Sequence, residues 1–260
     1  MSIPKDILRE QPSLSDWAIL SGYRGSISHG TYVPSTDPNS IDDKVVMTVC
    51  VPPLEYYFGL KEFGSGGTKE IKRDEWDIVV YEARKFIGLL AQGNPNVLMM
   101  LWLNDNFYLK ISEAGRLVLE NRQIFVGCHV YKAFTGYAYS QLHRMTHMAF
   151  EGHMGTKRKM LVEKYGYDCK NAAHLIRLLR MGVEFLKDGR LYVMREDAKQ
   201  LIEIKRGEWT LEQVKVEAER GFQVAEQAYL ASTLPAGPDM EAIGRLAVDV
   251  VSLAMRVSDF

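Results

Sequence analysis

The sequence predicts an α/β (α+β) N-terminal domain with a mixed sheet over residues 1–120, followed by an α-helical domain over residues 121–260. Two observations support this division. Apolar, β-branched runs that stop at turn-forming residues, as buried strands do, occur in the first part of the chain. Beyond about residue 121 the apolar residues instead recur every three to four positions, which is typical of amphipathic helices. We expect a ligand-binding cleft between the two domains.

Three strands and one helix are predicted for the first domain. The strands cover residues 17–23, 44–51 and 76–81. The first leads into a Gly-Ser turn, the second ends at Pro-Pro, and the third leads into the helix. The helix covers residues 82–90, because Gly-Asn-Pro at residues 93–95 would end it. A short helix or turn at residues 54–60 and a flexible glycine-rich loop at residues 64–67 complete the domain.

Four amphipathic helices are predicted for the second domain, over residues 130–150, 168–186, 210–231 and 240–257. A small hairpin is expected at residues 187–192, and the proline-containing stretch 234–238 separates the last two helices. The basic stretch 157–159, together with Lys164, is predicted to lie in a surface loop. The alternative is that this stretch steers a nucleic-acid backbone.

The composition is that of an ordinary globular protein of the cytoplasm. With 47% hydrophobic and 25% charged residues and a net charge of -1, the chain has no global basic coat, so a nucleic-acid partner would need a local patch. The three cysteines (Cys50, Cys128 and Cys169) have no metal-ligand spacing and are expected to be free thiols. No apolar run reaches membrane-spanning length and the first residues do not resemble a signal peptide, so no membrane partner is expected.

The strongest functional signal is a small turn followed by acidic residues at the start of a strand. The turn reads Gly-Ser-Ile-Ser-His-Gly-Thr over residues 25–31, and Asp42 and Asp43 precede the strand 44–51. Such a turn exposes backbone N–H groups and a hydroxyl to phosphate oxygens. Carboxylates are the ligands that Mg²⁺ prefers, and Asp77 on a neighbouring strand could add one. Together these residues indicate a metal-dependent nucleotidyl transfer site.

A second set of polar residues forms one stripe if residues 168–186 are helical. Its members, at steps of four, three and three, are Lys170, His174, Arg177 and Arg180. The stripe is either a solvated helix face or a set of side chains directed into the cleft. In the second case Lys170 and Arg177 would bind a triphosphate or an RNA end. The sequence leaves both alternatives open.

Five motifs follow one another along most of the chain. They are Gly25-Ser26-x3-Gly30-Thr31, Val-Pro-Pro-Leu-Glu-Tyr at 51–56, Asp-Ile-Val-Val-Tyr-Glu-Ala-Arg-Lys-Phe at 77–86, Gly-Asn-Pro-Asn-Val-Leu at 93–98, and Tyr-Asp-x-Lys-x-Ala-x-His-Leu-Ile-Arg-Leu at 167–178. In these motifs the chain resembles the DNA polymerase β-type nucleotidyltransferase superfamily. The closer resemblance is to the RNA repair pathway DNA polymerase β family, the predicted nucleotidyltransferases associated with RNA ligases.

The resemblance implies a nucleotidyltransferase-like N-terminal domain and an enzyme that depends on Mg²⁺ (or Mn²⁺). Such an enzyme moves a nucleoside monophosphate from a nucleoside triphosphate to an acceptor hydroxyl, here an RNA end, either tRNA-like or broken. The implied catalytic and metal-binding residues are Asp43, Asp77 and Asp42. The implied nucleotide- and phosphate-binding residues are Gly25, Ser26, Lys170, Arg177 and His174.

The acid-x-acid pattern of the family is incomplete in this chain. Aligned on Asp43, the second acid is replaced by Val45; aligned on Asp42, the first acid is replaced by Ser40. We favour the first register, in which Asp42 points to the opposite face of the strand unless a bulge re-aims it. The family also tends to carry an acid where this chain has Met99. Two alternatives follow: a catalytically impaired protein that binds nucleotide or nucleic acid, and a protein-modifying nucleotidyltransferase that would share every site residue.

Overall fold

The computed structural model describes residues 2–34, 37, 42–147 and 156–258 of the chain. Over these residues the N-terminal part forms a five-stranded mixed sheet, and a series of helices follows it. The predicted fold class is therefore confirmed. The separation into two domains at residue 120 stays a prediction.

The sheet has the spatial order β3-β4-β2-β1-β5. Its strands are β1 (Ala18–Tyr23), β2 (Lys44–Cys50), β3 (Thr68–Arg73), β4 (Trp76–Glu82) and β5 (Tyr108–Ile111). Strands β2 and β4 are parallel, whereas the other neighbouring pairs are antiparallel. The three predicted strands correspond to β1, β2 and β4, each to within a residue at either end.

The two edge strands, β3 and β5, were not predicted, and their sequences explain why. Strand β3 reads Thr-Lys-Glu-Ile-Lys-Arg and has no buried residue, while β5 is only four residues long. Charged and short edge strands are common in natural sheets because they prevent pairing with other chains. Such strands lack the apolar alternation by which a sequence reveals a buried strand.

The helices occupy ten segments of the described residues. They are α1 (Lys5–Glu10), α2 (Ala83–Ala91), α3 (Pro95–Leu98), α4 (Glu113–Glu120), α5 (Val130–His147), α6 (Thr156–Tyr165), α7 (Cys169–Asp188), α8 (Ala198–Lys205), α9 (Leu211–Ala231) and α10 (Met240–Ser258). The predicted helices correspond to α2, α5, α7, α9 and α10; the end predicted at residues 148–150 lies outside the described residues. None of the described helices has both the length and the apolarity to cross a bilayer.

The hairpin predicted at residues 187–192 is wrong. Helix α7 continues to Asp188 and ends at Gly189, whose φ of 66° is in the left-handed region that favours glycine. Leu191 and Val193 then extend into the core, where both side chains are buried. Packing, rather than strand pairing, therefore holds this segment, which leads into the unpredicted helix α8.

The surface loop predicted at residues 157–159 is also wrong, because these residues belong to α6. Its apolar residues, 160–162, are consecutive instead of recurring every three to four positions, so periodicity could not identify the helix. Near its end, the Lys164 ammonium lies 4.9 Å from the centre of the Tyr165 ring.

The two faces of the sheet are covered by different parts of the chain. On one face, Val46 and Ile78 pack with residues of α1. On the opposite face, Met47 and Val79 belong to a large core that also contains buried residues of α2, α5, α7 and α9. Helix α10 packs against α2 and α4. The second half of the chain thus covers the sheet face on which Asp43 and Asp77 lie.

Candidate active site

The Gly-Ser turn begins directly after β1 and lies beside the first residues of β2. Gly25 has a φ of 68°, which favours glycine. The turn is closed by the Thr31 N–H, which donates to the Ser26 carbonyl at 2.8 Å. The Arg24 N–H donates to the Val45 carbonyl at 3.0 Å, so the antiparallel pairing of β1 with β2 places the turn next to Val45. Gly25 and Ser26 both line the adjoining cavity.

Asp43 and Asp77 lie at the same end of two neighbouring parallel strands. The register pairs Val45 with Asp77, and Asp43 lies two positions before Val45. Because side chains alternate along a strand, Val45 and Asp77 belong to the face that also carries Met47 and Val79. Asp43 is the residue directly before the start of β2. Asp43, Val45 and Asp77 accordingly line one cavity with the Gly-Ser turn. The structure thus brings the two predicted carboxylates together, with Val45 at the position of the second acid.

Asp42 also lines this cavity, but its carboxylate is already engaged. Its side chain is 1% exposed, forms an ion pair with the Lys205 ammonium and accepts a hydrogen bond from the Val33 N–H at 2.9 Å. The Lys170 ammonium lies 3.7 Å from the other carboxylate oxygen. Asp42 precedes β2, so strand alternation does not turn it to the opposite face as expected. Ser40, the other half of the alternative register, lies outside the described residues.

Helix α7 supplies the opposite wall of the cavity. Its first turn is capped by the Asp168 carboxylate, which accepts a hydrogen bond from the Asn171 N–H at 3.0 Å. Lys170, His174 and Arg177 all line the cavity. Arg180, the last member of the predicted stripe, instead forms ion pairs with carboxylates of Asp197 and Glu217. The stripe is therefore divided, and its first three members lie in the cleft.

The guanidinium of Arg177 lies in a cationic environment. Burial and, to a lesser extent, the charge of nearby Arg195 lower the pKa of Arg177 to about 9, against the opposing effect of Asp197. The one hydrogen-bond partner that the described residues offer it is the Met181 sulfur, at 3.1 Å. A buried guanidinium without a carboxylate partner is an unfavourable arrangement that a bound anion would relieve.

His29, in the middle of the Gly-Ser turn, was not predicted as a site residue. Its Nδ1 lies 2.9 Å from the Val193 carbonyl. Since a carbonyl can only accept, Nδ1 carries the proton of the neutral ring. Burial, followed by the charge of Arg177, holds the pKa of His29 well below its usual range. Its Nε2, which lacks a partner among the described residues, is then an unprotonated acceptor at the cavity wall.

The cavity has a volume of about 260 Å³ and includes further residues without a predicted role. Among them are Arg24, Lys205 and Met99. Met99, which stands where the family tends to have an acid, is 3% exposed. Lys205 also donates to the Thr31 carbonyl at 2.9 Å, so α8 is tied to the end of the Gly-Ser turn. No local sequence pattern indicated Lys205, because it is distant in sequence from the turn it contacts.

The donor set fits a magnesium ion that arrives together with a triphosphate. Asp43 is exposed and Asp77 is half-buried, and both line the cavity. No group of three or more histidines, cysteines and acids that could hold a metal occurs among the described residues. Val45 offers no ligand, and the carboxylate of Asp42 is engaged by Lys205. Mg²⁺ is often held by one or two carboxylates plus substrate phosphates, which Asp43 and Asp77 could provide with the donor.

Comparisons with known proteins assign the chain to a family. The chain matches no curated protein. It is similar to a solved nucleotidyltransferase-like protein from Exiguobacterium sibiricum 255-15, at 8% identity over 97% of this chain and 73% of that chain, with a TM-score of 0.30. The model of the RNA repair pathway DNA polymerase beta family matches residues 18–249. Because this match spans most of the chain, the protein belongs to the RNA repair pathway DNA polymerase beta family, a nucleotidyltransferase-like family of the DNA polymerase β superfamily.

Proposed function

We propose that the protein is a Mg²⁺-dependent nucleotidyltransferase that moves a nucleoside monophosphate from a nucleoside triphosphate to an acceptor hydroxyl, with an RNA end as the acceptor. One observation carries this proposal. The carboxylates of Asp43 and Asp77 line the same cavity as the Gly-Ser turn on one side and Lys170 and Arg177 on the other. The choice of RNA rests on the family alone.

The triphosphate would lie between the Gly-Ser turn and α7. Backbone N–H groups and the Ser26 hydroxyl would bind phosphate oxygens from one side. Lys170 and Arg177 would neutralise the same group from the other side, where Arg177 has no carboxylate partner among the described residues. Phosphoryl-type transfer depends mainly on such positioning and on charge stabilisation.

In the reaction, the acceptor oxygen attacks the α-phosphorus and a new P–O bond forms there. The bond from the α-phosphorus to the bridging oxygen breaks, and pyrophosphate leaves with the bonding electron pair. Asp77 would accept the proton of the attacking hydroxyl on a carboxylate oxygen. A magnesium ion held by Asp43, Asp77 and the phosphates would stabilise the charge on the attacking and leaving oxygens.

Asp42 has a positioning role in this proposal, rather than the metal-binding role that the sequence predicted. Its ion pair with Lys205 joins the segment before β2 to α8. Its second oxygen lies near the ammonium of Lys170 and would hold that side chain close to the phosphates. A carboxylate that is 1% exposed and paired would have to abandon these contacts to bind a metal.

A second candidate function is favoured by the valine at position 45. Of the three carboxylates among the described residues of the cavity, Asp42 is paired with Lys205, so Asp43 and Asp77 are left to bind a metal. Such a site could bind a nucleotide or nucleic acid without turnover. In that case Mg²⁺ would support binding, and no label would be transferred from a nucleoside triphosphate.

Incubation with each of the four α-labelled ribonucleoside triphosphates and Mg²⁺, with and without RNA, tests the proposal. We expect labelled RNA, and a loss of at least ~100-fold in rate for Asp43→Asn and for Asp77→Asn. Asp249→Asn, which removes an exposed acid of α10, is the matched control and should retain the rate. Binding without labelling would favour the non-catalytic function, whereas label on a protein would identify a protein-modifying transferase.

A further inference from the structure

A second cavity adjoins the one that contains Asp43 and Asp77. Its volume is about 330 Å³. It shares part of its wall with the first cavity, since four residues line both: Arg24, Asn96, Lys170 and His174. Its other side is formed by polar residues of α5, among them Gln141 and Arg144. A ligand in this second cavity would therefore touch the same side chains as a triphosphate in the first.

The second cavity is strongly cationic. Arg24, Arg144 and Lys170 line it, and no acidic residue is among the described residues that do so. Arg144 is exposed and forms no ion pair with any carboxylate of the described residues. Three cations around one polar cavity repel each other, and an anion bound between them would remove that cost.

His174 lies on the wall that the two cavities share, and one of its ring nitrogens is available to a ligand. Its Nε2 is buried and has no partner among the described residues. Burial, together with the charges of Arg177, Lys170, Arg24 and Arg144, holds the pKa of His174 well below its usual range, so the ring is neutral. A neutral ring among cations provides a hydrogen-bonding group without adding to their repulsion.

We propose that the second cavity binds a phosphate group of the acceptor, held by Arg144 and Arg24, while the triphosphate of the donor occupies the first cavity. This inference deepens the proposed function and rests on it. The two phosphate-bearing substrates would meet at Lys170 and His174, and the acceptor hydroxyl would lie on the side of Asp43 and Asp77. Arginine suits this role because its planar donors match the geometry of phosphate oxygens.

Binding of a second ligand to the triphosphate-loaded protein tests the inference. The protein is first saturated with Mg²⁺ and the best-binding α,β-methylene analogue of the four ribonucleoside triphosphates. A short RNA with a 3′ hydroxyl is then titrated in. It is compared with the same RNA in which a neutral methylphosphonate replaces the last internucleotide phosphate. The charged strand should bind about tenfold more tightly than the neutral one.

The variant Arg144→Gln tests whether the difference in affinity between the charged and neutral strands arises in the second cavity. We expect Arg144→Gln to weaken the charged strand by about tenfold and to leave the neutral strand unchanged. The matched control is Arg116→Gln, since Arg116 is an exposed arginine of α4 that lines neither cavity. The thermal midpoints of both variants show whether they are folded.

Two results would overturn the inference. One is equal affinity of the charged and neutral strands, and the other is an equal loss of both strands in Arg144→Gln. If a nucleoside 5′-monophosphate bound as tightly as the RNA strand, the cavity would be a phosphate site, but its ligand would not be a polynucleotide. If inorganic phosphate displaced the strand equally well, the cavity would not be a site for the acceptor. Binding does not need turnover. If no label is transferred but the charged strand still binds more tightly than the neutral one, only the proposed transferase activity is refuted.

Discussion

Val45 lies directly opposite Asp77 in the parallel pairing of β2 with β4. A carboxylate at position 45 would face the same cavity as Asp43 and Asp77, since Val45 already lines that cavity with them. Residue 45 therefore decides whether a further carboxylate lies beside Asp43 and Asp77 in this cavity.

Val45→Asp should strengthen divalent-cation binding. The new carboxylate adds an oxygen ligand beside Asp77, and we expect Mn²⁺ to bind about tenfold more tightly, as measured by electron paramagnetic resonance titration. In EDTA the variant should have a lower thermal midpoint than the wild type, because the new carboxylate lies beside the like charges of Asp43 and Asp77.

Val248→Asp is the control for that experiment, since it makes the same chemical change at an exposed position of α10. It should alter neither cation affinity nor the response to EDTA. If Val45→Asp bound Mn²⁺ no better than the wild type, Asp43 and Asp77 would not be metal ligands. Transfer activity that appears only in Val45→Asp would identify the natural protein as a non-catalytic binder.

Arg177→Gln should weaken triphosphate binding more than it affects folding. A charge-assisted hydrogen bond to phosphate contributes about 1.5–3 kcal/mol, so the dissociation constant should rise by about 10- to 100-fold in isothermal titration calorimetry. The thermal midpoint should not fall, because no carboxylate of the described residues loses a partner. An unchanged affinity, with Arg116→Gln as the reference, would place the triphosphate elsewhere.

The burial of His29 should make the folded protein less stable in acid. Its pKa in the folded protein is well below the ordinary value of 6.5, so below that pH the unfolded chain binds a proton that the folded chain does not. The free energy of unfolding therefore falls as the pH drops below 6.5, by at most about 1.4 kcal/mol per pH unit for this residue. Above pH 6.5 His29 does not lower the free energy of unfolding, and the loss grows as the pH falls towards the pKa of His29 in the folded protein.

Urea unfolding between about pH 7.5 and about pH 5.5 measures this slope. His29→Asn keeps a side-chain donor near the Val193 carbonyl and removes the titration, so its slope should be shallower than that of the wild type. His174 contributes in the same direction and stays in both proteins, which leaves His29 as the difference. Parallel slopes for the two proteins would contradict the assignment of a neutral, buried His29.

Arg195→Met should destabilise the fold strongly. The Arg195 side chain is 4% exposed and forms ion pairs with carboxylates of Glu184 and Asp197. Removal of one partner from a buried charge network costs about 3–5 kcal/mol, which urea unfolding would measure. Arg220→Met is the control, because its pair with Glu217 is long and 76% of the Arg220 side chain is exposed. Equal stability of the two variants would mean that the Arg195 network contributes nothing.

The sequence by itself determined the inner strands, the long helices and the position of the Gly-Ser turn. Each follows from a local rule: β2 is a nearly continuous apolar run that ends at proline, and the apolar residues of α7 recur every three to four positions up to a glycine. The prediction that Asp43 and Asp77 share a site followed from their places near the starts of two such strands and from the family resemblance. The local rules missed β3 and α6, whose charged sequences carry no apolar period.

Only the tertiary structure decided which polar residues are engaged and which face the cavity. Asp42 pairs with Lys205, 163 positions away, and His29 contacts the Val193 carbonyl, 164 positions away. No local period encodes such contacts, because they depend on how α7 and α8 pack against the sheet. Burial then sets the charge state of His29 and leaves Arg177 without a carboxylate partner among the described residues. These properties arise from removal of water around a side chain, which only the assembled fold achieves.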